Sequence, residues 1–128
     1  MDLGLNGKVA VVTGGSRGIG LATAECLVKE GARVVIAARR QEQLDTAAAR
    51  LGVDAVQVDV TKTADLDRLA TYVQERFGGA DILVNNAGTG TYKPFLEVTD
   101  DDLEYGMAIN FFAQFRLTQR LVPGMIAR

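Results

Sequence analysis

A glycine-rich turn set between a strand and a helix constrains this chain more than any other feature. Val9-Ala10-Val11-Val12 is a continuous apolar run; Thr13-Gly14-Gly15-Ser16-Arg17-Gly18-Ile19-Gly20 follows it, and the helical pattern Leu21-Ala22-Thr23-Ala24-Glu25-Cys26-Leu27-Val28 comes next. A short apolar run bounded by a turn reads as a buried strand. Glycine tolerates positive φ and carries no Cβ, so at Gly14, Gly18 and Gly20 the backbone can turn tightly and approach a bound group closely. The first N–H groups of the helix lack intrahelical acceptors and lie at the positive end of its dipole, which favours an anion there. Strand, glycine turn and helix start together make a cradle for the diphosphate of a dinucleotide. The competing reading is a strand-to-helix turn with no ligand.

Strand-like and helical segments alternate along the rest of the chain. Lys8–Thr13 is the first strand and Gly18–Glu30 the first helix, with Gly31 as its stop. Arg33–Ala38 reads as a second strand, Gln41–Leu51 as a helix stopped by Gly52, and Ala55–Val58 as a third strand. Ala64–Phe77 repeats apolar residues at helical spacing up to Gly78-Gly79, and Ile82-Leu83-Val84 is the fourth strand. A looser loop, Thr89–Val98, precedes a last helix opened by Thr99-Asp100-Asp101-Asp102 and running towards Pro123. Thr99 can cap that helix, and its three carboxylates suit the dipole. Alternation of Val- and Ile-rich strands with helices predicts an α/β fold: a doubly wound, Rossmann-type parallel sheet covered on both faces. Right-handed crossovers set the strand order 3-2-1-4 and place a ligand where that order reverses, at the carboxyl ends of strands one and four. The 128 residues, 48% of them hydrophobic, suit a single domain.

Charge and composition exclude other classes. The net charge is −2, and no basic stripe suggests nucleic acid. No apolar run is long enough for a membrane span, and the first residues do not read as a signal peptide. Histidine is absent and Cys26 is the sole cysteine, so no disulfide and no cysteine-rich metal site is expected. The expected compartment is a reducing cytoplasm. Cys26 is read as core.

Three features together resemble the short-chain dehydrogenase/reductase family. The glycine run has the family's Thr-Gly-x-x-x-Gly-x-Gly spacing; Asn85-Asn86-Ala87-Gly88 follows the fourth strand, as the family's Asn-Asn-Ala-Gly does; and Asp59-Val60 closes the third strand. Asn110 in the last helix matches the family's catalytic-helix asparagine. The resemblance covers essentially the whole chain. It implies that Gly14, Gly18 and Gly20 admit the cofactor, that Ser16, Arg17 and the Ile19 N–H meet phosphate oxygens, that Asp59 accepts from the adenine amino group beside Val60, and that Asn86, Ala87 and Gly88 lie along the ribose. On sequence alone Asp59 is equally a turn or capping acid, Asn85 and Asn86 can simply close a turn, and Asn110 can kink its helix around an ordered water.

The end of the second strand speaks to cofactor choice. A fold of this type that prefers NAD places an acid there to hold the ribose hydroxyls. This chain has Ala38 followed by Arg39 and Arg40, with Arg17 nearby in the glycine turn. An acid would repel a 2′-phosphate and arginine pairs with one, so NADP(H) is favoured over NAD(H); on sequence alone Arg39 and Arg40 read equally as exposed charges.

The family's chemistry also uses a tyrosine that passes a proton to the substrate oxygen, a lysine four residues later and a serine, while the cofactor carries the hydride. The three tyrosines here are Tyr72, Tyr92 and Tyr105, and four residues on stand Arg76, Leu96 and Ile109; the only serine is Ser16. Of that catalytic set only Asn110 is present. The resemblance therefore implies an oxidoreductase acting on a carbonyl or alcohol whose present chain is cut short, as an incompletely expressed piece, a proteolysed product or the product of a frameshifted gene, and is inactive alone. The alternatives are a non-catalytic dinucleotide-binding module and an interaction fragment. Strand four would be left as an open edge, and the last helix (about 100–122) is apolar on more than one face, so self-association, strand exchange or poor solubility is expected. Phe111, Phe112 and Phe115 are read as packing residues.

Overall fold

In the computed structural model, which describes residues 1–128, the apolar runs become β1 (Val9–Thr13), β2 (Arg33–Ala38), β3 (Asp54–Gln57) and β4 (Ile82–Val84). Between them lie α1 (Gly18–Lys29), α2 (Gln41–Leu51) and α3 (Thr63–Phe77). A 3-10 turn over Phe95–Glu97 leads into α4 (Asp100–Met107), a π-helical turn (Ala108–Phe112) and α5 (Ala113–Ala127). All pairings are parallel and the strand order is β3-β2-β1-β4, the expected doubly wound arrangement.

Alternation along the strands divides the apolar residues between two layers. Val9, Val11, Val35, Ala37, Val56 and Val58 face α3 and α5, meeting Leu66, Leu69, Val73, Leu117 and Leu121. Ala10, Val12, Val34 and Ile36 face α1 and α2, meeting Ala24, Leu44 and Ala47. Every residue of β1 is buried, which is why its sequence reads as one apolar run. β4 pairs only with β1, its three residues are half-buried, and its outer edge has no neighbouring strand.

Helix ends follow local chemistry. α2 and α3 stop at Gly52 and Gly78, both left-handed at φ 67° and 77°. Thr99 caps α4 through a reciprocal pair: its Oγ1 accepts the Asp102 N–H at 3.1 Å and Asp102 Oδ2 accepts the Thr99 N–H at 3.0 Å. The last helix runs on through Pro123 to Ala127. Its end is anchored from outside: Arg128 donates from Nε and Nη2 to Asp81 at 2.9 and 3.0 Å, and from Nη1 to the Phe77 carbonyl at 3.1 Å.

Two packing expectations fail for the same geometric reason. Cys26 is exposed, because Gly20 and Ala24 form the buried side of α1 and a residue two positions beyond Ala24 points about 200° away. Phe111, Phe112 and Phe115 are 55%, 44% and 60% exposed, because the sheet-facing side of that helix is already taken by Ile109, Ala113, Leu117 and Leu121. No helix is long and apolar enough to cross a membrane.

Candidate functional site

The carboxyl ends of the strands open on a cleft of about 470 Å³ where the strand order reverses. The glycine turn forms its floor. Gly14 has φ +65° and its N–H donates to the Ala37 carbonyl at 2.7 Å. A Cβ on Gly14 would sit 2.8 Å from Asn86 Nδ2, and one on Gly20 would drive into the Gly14 carbonyl itself. Gly20 therefore lies behind the cleft, where it lets α1 close onto the strand exit, whereas Gly14 and Gly18 line the cleft. Gly18 has φ +57° with open space around it.

The start of α1 is not walled off. Arg17 occupies the N-cap position in an extended conformation, and no side chain caps the helix. Leu21 is the first residue whose N–H finds a turn partner, the Arg17 carbonyl at 3.1 Å, and the N–H groups of Gly18, Ile19 and Gly20 have no backbone acceptor. Ser16, Arg17 and the 79%-exposed Ile19 stand at this end of the cleft. Free donors at the positive end of a helix dipole can hold an anion.

The opposite wall is the segment after β4, and Thr13 places it. Thr13 is buried; its Oγ1 accepts the N–H groups of Asn86 and Ala87, both at 3.0 Å, and donates to the Val84 carbonyl at 3.4 Å. Asn86 returns a bond from Nδ2 to the Gly14 carbonyl at 3.2 Å. One hydroxyl thus sets the distance between the glycine turn and the second wall. Thr13 carries no role in the sequence reading beyond opening the motif; the available signal is a hydroxyl ending an otherwise apolar, buried strand. Asn86, Ala87 and Gly88 line the cleft, while Asn85 turns away and donates to Thr118 Oγ1 at 3.1 Å.

Asn110 sits in the π-helical turn, outside the cleft lining, and grips the same wall from behind. Its Oδ1 accepts the Thr89 N–H at 2.9 Å and its Nδ2 donates to the Thr89 carbonyl at 2.7 Å. The amide is thereby paired within the protein.

Asp59 and Val60 line the β3 side of the cleft. Asp59 is a turn acid: its Oδ1 accepts the Thr61 N–H at 3.0 Å and the Thr61 hydroxyl at 2.6 Å. The Thr61 hydroxyl holds its carboxyl below the ordinary value against the opposing effect of burial; the Thr61 N–H, Lys62 and Arg39 add to the lowering. Its Oδ2 makes no protein hydrogen bond.

Positive charge gathers at the β2 end. Arg17, Arg39 and Arg40 line the cleft, and none of the three is in an ion pair. Ala38 lies between β2 and these arginines and also lines the cleft, as does Tyr105 of α4. Tyr72 and Arg76 lie elsewhere: the Tyr72 hydroxyl donates to Asp54 Oδ2 at 2.5 Å and Arg76 pairs with the same carboxylate at 3.3 Å, at the amino end of β3. That hydrogen bond pushes the Tyr72 phenol upward, away from the acidity proton transfer requires.

Comparison with known proteins agrees with this geometry. The family model described as short chain dehydrogenase matches residues 8–128. The oxidoreductase asL5 of Sarocladium schorii is 43% identical over 123 residues, which are 94% of this chain and 49% of that protein. The sorbitol dehydrogenase of Cereibacter sphaeroides is 41% identical over 125 residues, 96% of this chain and 49% of that protein. The crystal structure of L-sorbose reductase from Gluconobacter frateurii, complexed with NADPH and L-sorbose, superimposes with a TM-score of 0.94 at 46% identity and covers 100% of this chain and 51% of that one. The chain therefore spans about half the length of the relatives it matches. With its sheet order, glycine turn and Asn85–Gly88 segment in place, the chain belongs to the short-chain dehydrogenase/reductase family.

Proposed function

We propose that this chain is the dinucleotide-binding part of an NADP(H)-dependent oxidoreductase that moves hydride between nicotinamide and a carbonyl or alcohol. The observation that carries this reading is the uncapped start of α1, facing a cleft whose other wall is held at a fixed distance by Thr13. The site fits a dinucleotide. A Cβ at Gly14 would wedge against Asn86 and Ala87 of the second wall, and free N–H groups and arginines line the end where phosphates belong.

The N–H groups at Gly18 and Ile19, with the Ser16 hydroxyl, hold the diphosphate. Arg17, Arg39 and Arg40 face a 2′-phosphate, and the absence of an acid at Ala38 removes the group that would reject it. The open Oδ2 of Asp59 accepts from the adenine amino group beside Val60. Asn86, Ala87 and Gly88 form the ribose wall, and Asn110 holds that wall through Thr89. When bound, the nicotinamide supplies or accepts the hydride. Residues 1–128 contain no Tyr-x-x-x-Lys pair to move the accompanying proton, so this polypeptide binds cofactor without turning substrate over. The names of the relatives make polyols and ketoses the first substrates to try with a longer chain. The exposed apolar side of α4 and α5 serves as a contact between copies, and the setting is a reducing cytoplasm.

The test is titration of the chain with NADPH and with NADH, followed by nicotinamide fluorescence. NADPH is expected to bind at least about tenfold more tightly, about 1.4 kcal/mol, with no NADPH consumption when L-sorbose is added. No binding at millimolar NADPH overturns the binding assignment, and steady consumption overturns the assignment of inactivity.

A further inference from the structure

Tyr105 is the one aromatic residue of α4 that reaches the cleft, and it reaches across it. Its phenol oxygen accepts a hydrogen bond from Arg39 Nη1 at 3.2 Å, joining α4 to the end of β2 over 66 residues of sequence. Both side chains line the cleft, and neither makes another side-chain bond. An exposed arginine otherwise samples many rotamers, and ordering it on a ligand costs entropy.

Because the phenol oxygen receives the Arg39 proton, its own O–H is directed elsewhere and remains a free donor. Arg39 retains four of its five N–H donors. The pair therefore presents a guanidinium already fixed in place and a neutral hydroxyl donor beside it. An anion with several acceptor oxygens uses both; an uncharged ribose hydroxyl gains far less from either.

We propose that Tyr105 is a specificity-determining positioning residue for a phosphate on the adenosine ribose, acting by holding Arg39 at the mouth of the cleft. This rests on the dinucleotide reading above and adds that selectivity is set from α4 as well as from the end of β2. Tyr105 is 47% exposed, so removal of its hydroxyl leaves the core untouched.

The test compares 2′,5′-ADP with 5′-AMP by calorimetric titration of the full chain, in wild type, Tyr105→Phe, Arg39→Gln and the double variant. Tyr105→Phe is expected to weaken 2′,5′-ADP about three- to tenfold, the range of one solvent-exposed hydrogen bond, and to leave 5′-AMP within about twofold. In the Arg39→Gln background the same substitution is expected to cost clearly less, since the group it positions is gone and only the phenol's own contact with the anion is left to lose. Unchanged 2′,5′-ADP affinity in Tyr105→Phe overturns the proposal; so does equal weakening of both nucleotides, which places the ring against the base, and so does an undiminished effect in the Arg39→Gln background. A wild-type chain that binds 2′,5′-ADP no better than 5′-AMP overturns the NADP(H) reading itself, an outcome separate from these.

Discussion

Asn110 and Thr89 face each other through two hydrogen bonds, one in each direction: the Thr89 N–H reaches Asn110 Oδ1 at 2.9 Å and Asn110 Nδ2 reaches the Thr89 carbonyl at 2.7 Å. A side-chain amide here takes the place of a neighbouring strand, pairing the backbone of a segment that has just left the sheet. The π-helical turn over Ala108–Phe112 contains the residue that makes this contact. Asn110→Ala removes both bonds at a partly solvated site. The expected loss is about 1 kcal/mol by urea denaturation, with faster exchange of the Thr89 N–H and weaker NADPH binding. Unchanged protection at Thr89 contradicts this role.

The parts of the fold encoded by short-range chemistry were legible in the sequence. Runs of valine and isoleucine located β1, β2 and β4; Gly52 and Gly78 located two helix ends; and Thr99 located a third. The glycine turn and the segment after β4, which bound the cleft on two sides, were legible for the same reason, since each carries a local signature. What stayed hidden depends on contacts distant in sequence. The burial of Thr13 between two walls, the reach of Tyr105 to Arg39 and the anchoring of α5 by Arg128 to Asp81 each join elements separated by 47 to 73 residues. Cys26 was misplaced because α1 is apolar on more than one side, so its periodicity does not say which side is buried.

Gly20 and Gly18 lie two residues apart and are expected to respond oppositely to the same substitution. At Gly20 a methyl group meets the Gly14 carbonyl and the Asn86 amide, and backbone cannot yield as a flexible side chain would. Gly20→Ala is expected to cost about 3 kcal/mol or more and to abolish NADPH binding. At Gly18 nothing lies within 4 Å, so the only cost is alanine at φ +57°, about 1–2 kcal/mol. Denaturant melts of the two variants check the order, and a milder Gly20→Ala contradicts the packing assigned to it.

Acid is expected to destabilise the chain through a small set of carboxylates. Arg128 chiefly holds Asp81 below the usual carboxylate range, with the Val9 N–H adding to it. Lys93 chiefly lowers Asp102 to about 2, with the Thr99 N–H adding to it. Asp59 is lowered chiefly by the Thr61 hydroxyl. A carboxylate more acidic in the folded state contributes stability that is fully present above its unfolded pKa, about 4, and is lost as pH falls through the folded value. The melting temperature is therefore expected to be insensitive to these groups near neutrality and to fall between about pH 4 and pH 2. Arg128→Gln removes the chief partner of Asp81, so it lowers the neutral plateau and shallows that acid limb. An acid limb of unchanged depth in Arg128→Gln rules out the Asp81 contribution.

The end of β2 is the place to reverse cofactor choice. Ala38 is half-buried, lines the cleft and precedes Arg39 and Arg40. Ala38→Asp places a carboxylate where ribose hydroxyls would be held and a 2′-phosphate repelled. NADPH is expected to weaken by about ten- to a hundredfold, 1.4–2.7 kcal/mol, while NADH tightens. Parallel weakening of both cofactors would instead mean that the substitution disturbs the cleft as a whole.

The apolar side of the last helix predicts association. Leu103, Met107, Phe111 and Phe115 recur at every fourth position, and all four are between 49% and 60% exposed. Residues at that spacing form one stripe about 18 Å long on a helix, and Phe112 adds a second ring set edge-on to Phe111 at 5.7 Å. An isologous pairing buries the same stripe on both copies and needs no second surface. Light scattering is therefore expected to give a mass at least twice the 13.7 kDa of one chain. Phe111→Glu with Phe115→Glu puts two carboxylates on the stripe of each copy, which face their counterparts when the pair closes. The doubly substituted chain is expected to run as a monomer with its far-ultraviolet circular dichroism intact, since neither ring belongs to the two core clusters. If the substituted chain keeps its associated mass, the contact lies elsewhere, and the open edge of β4 is the next surface to block.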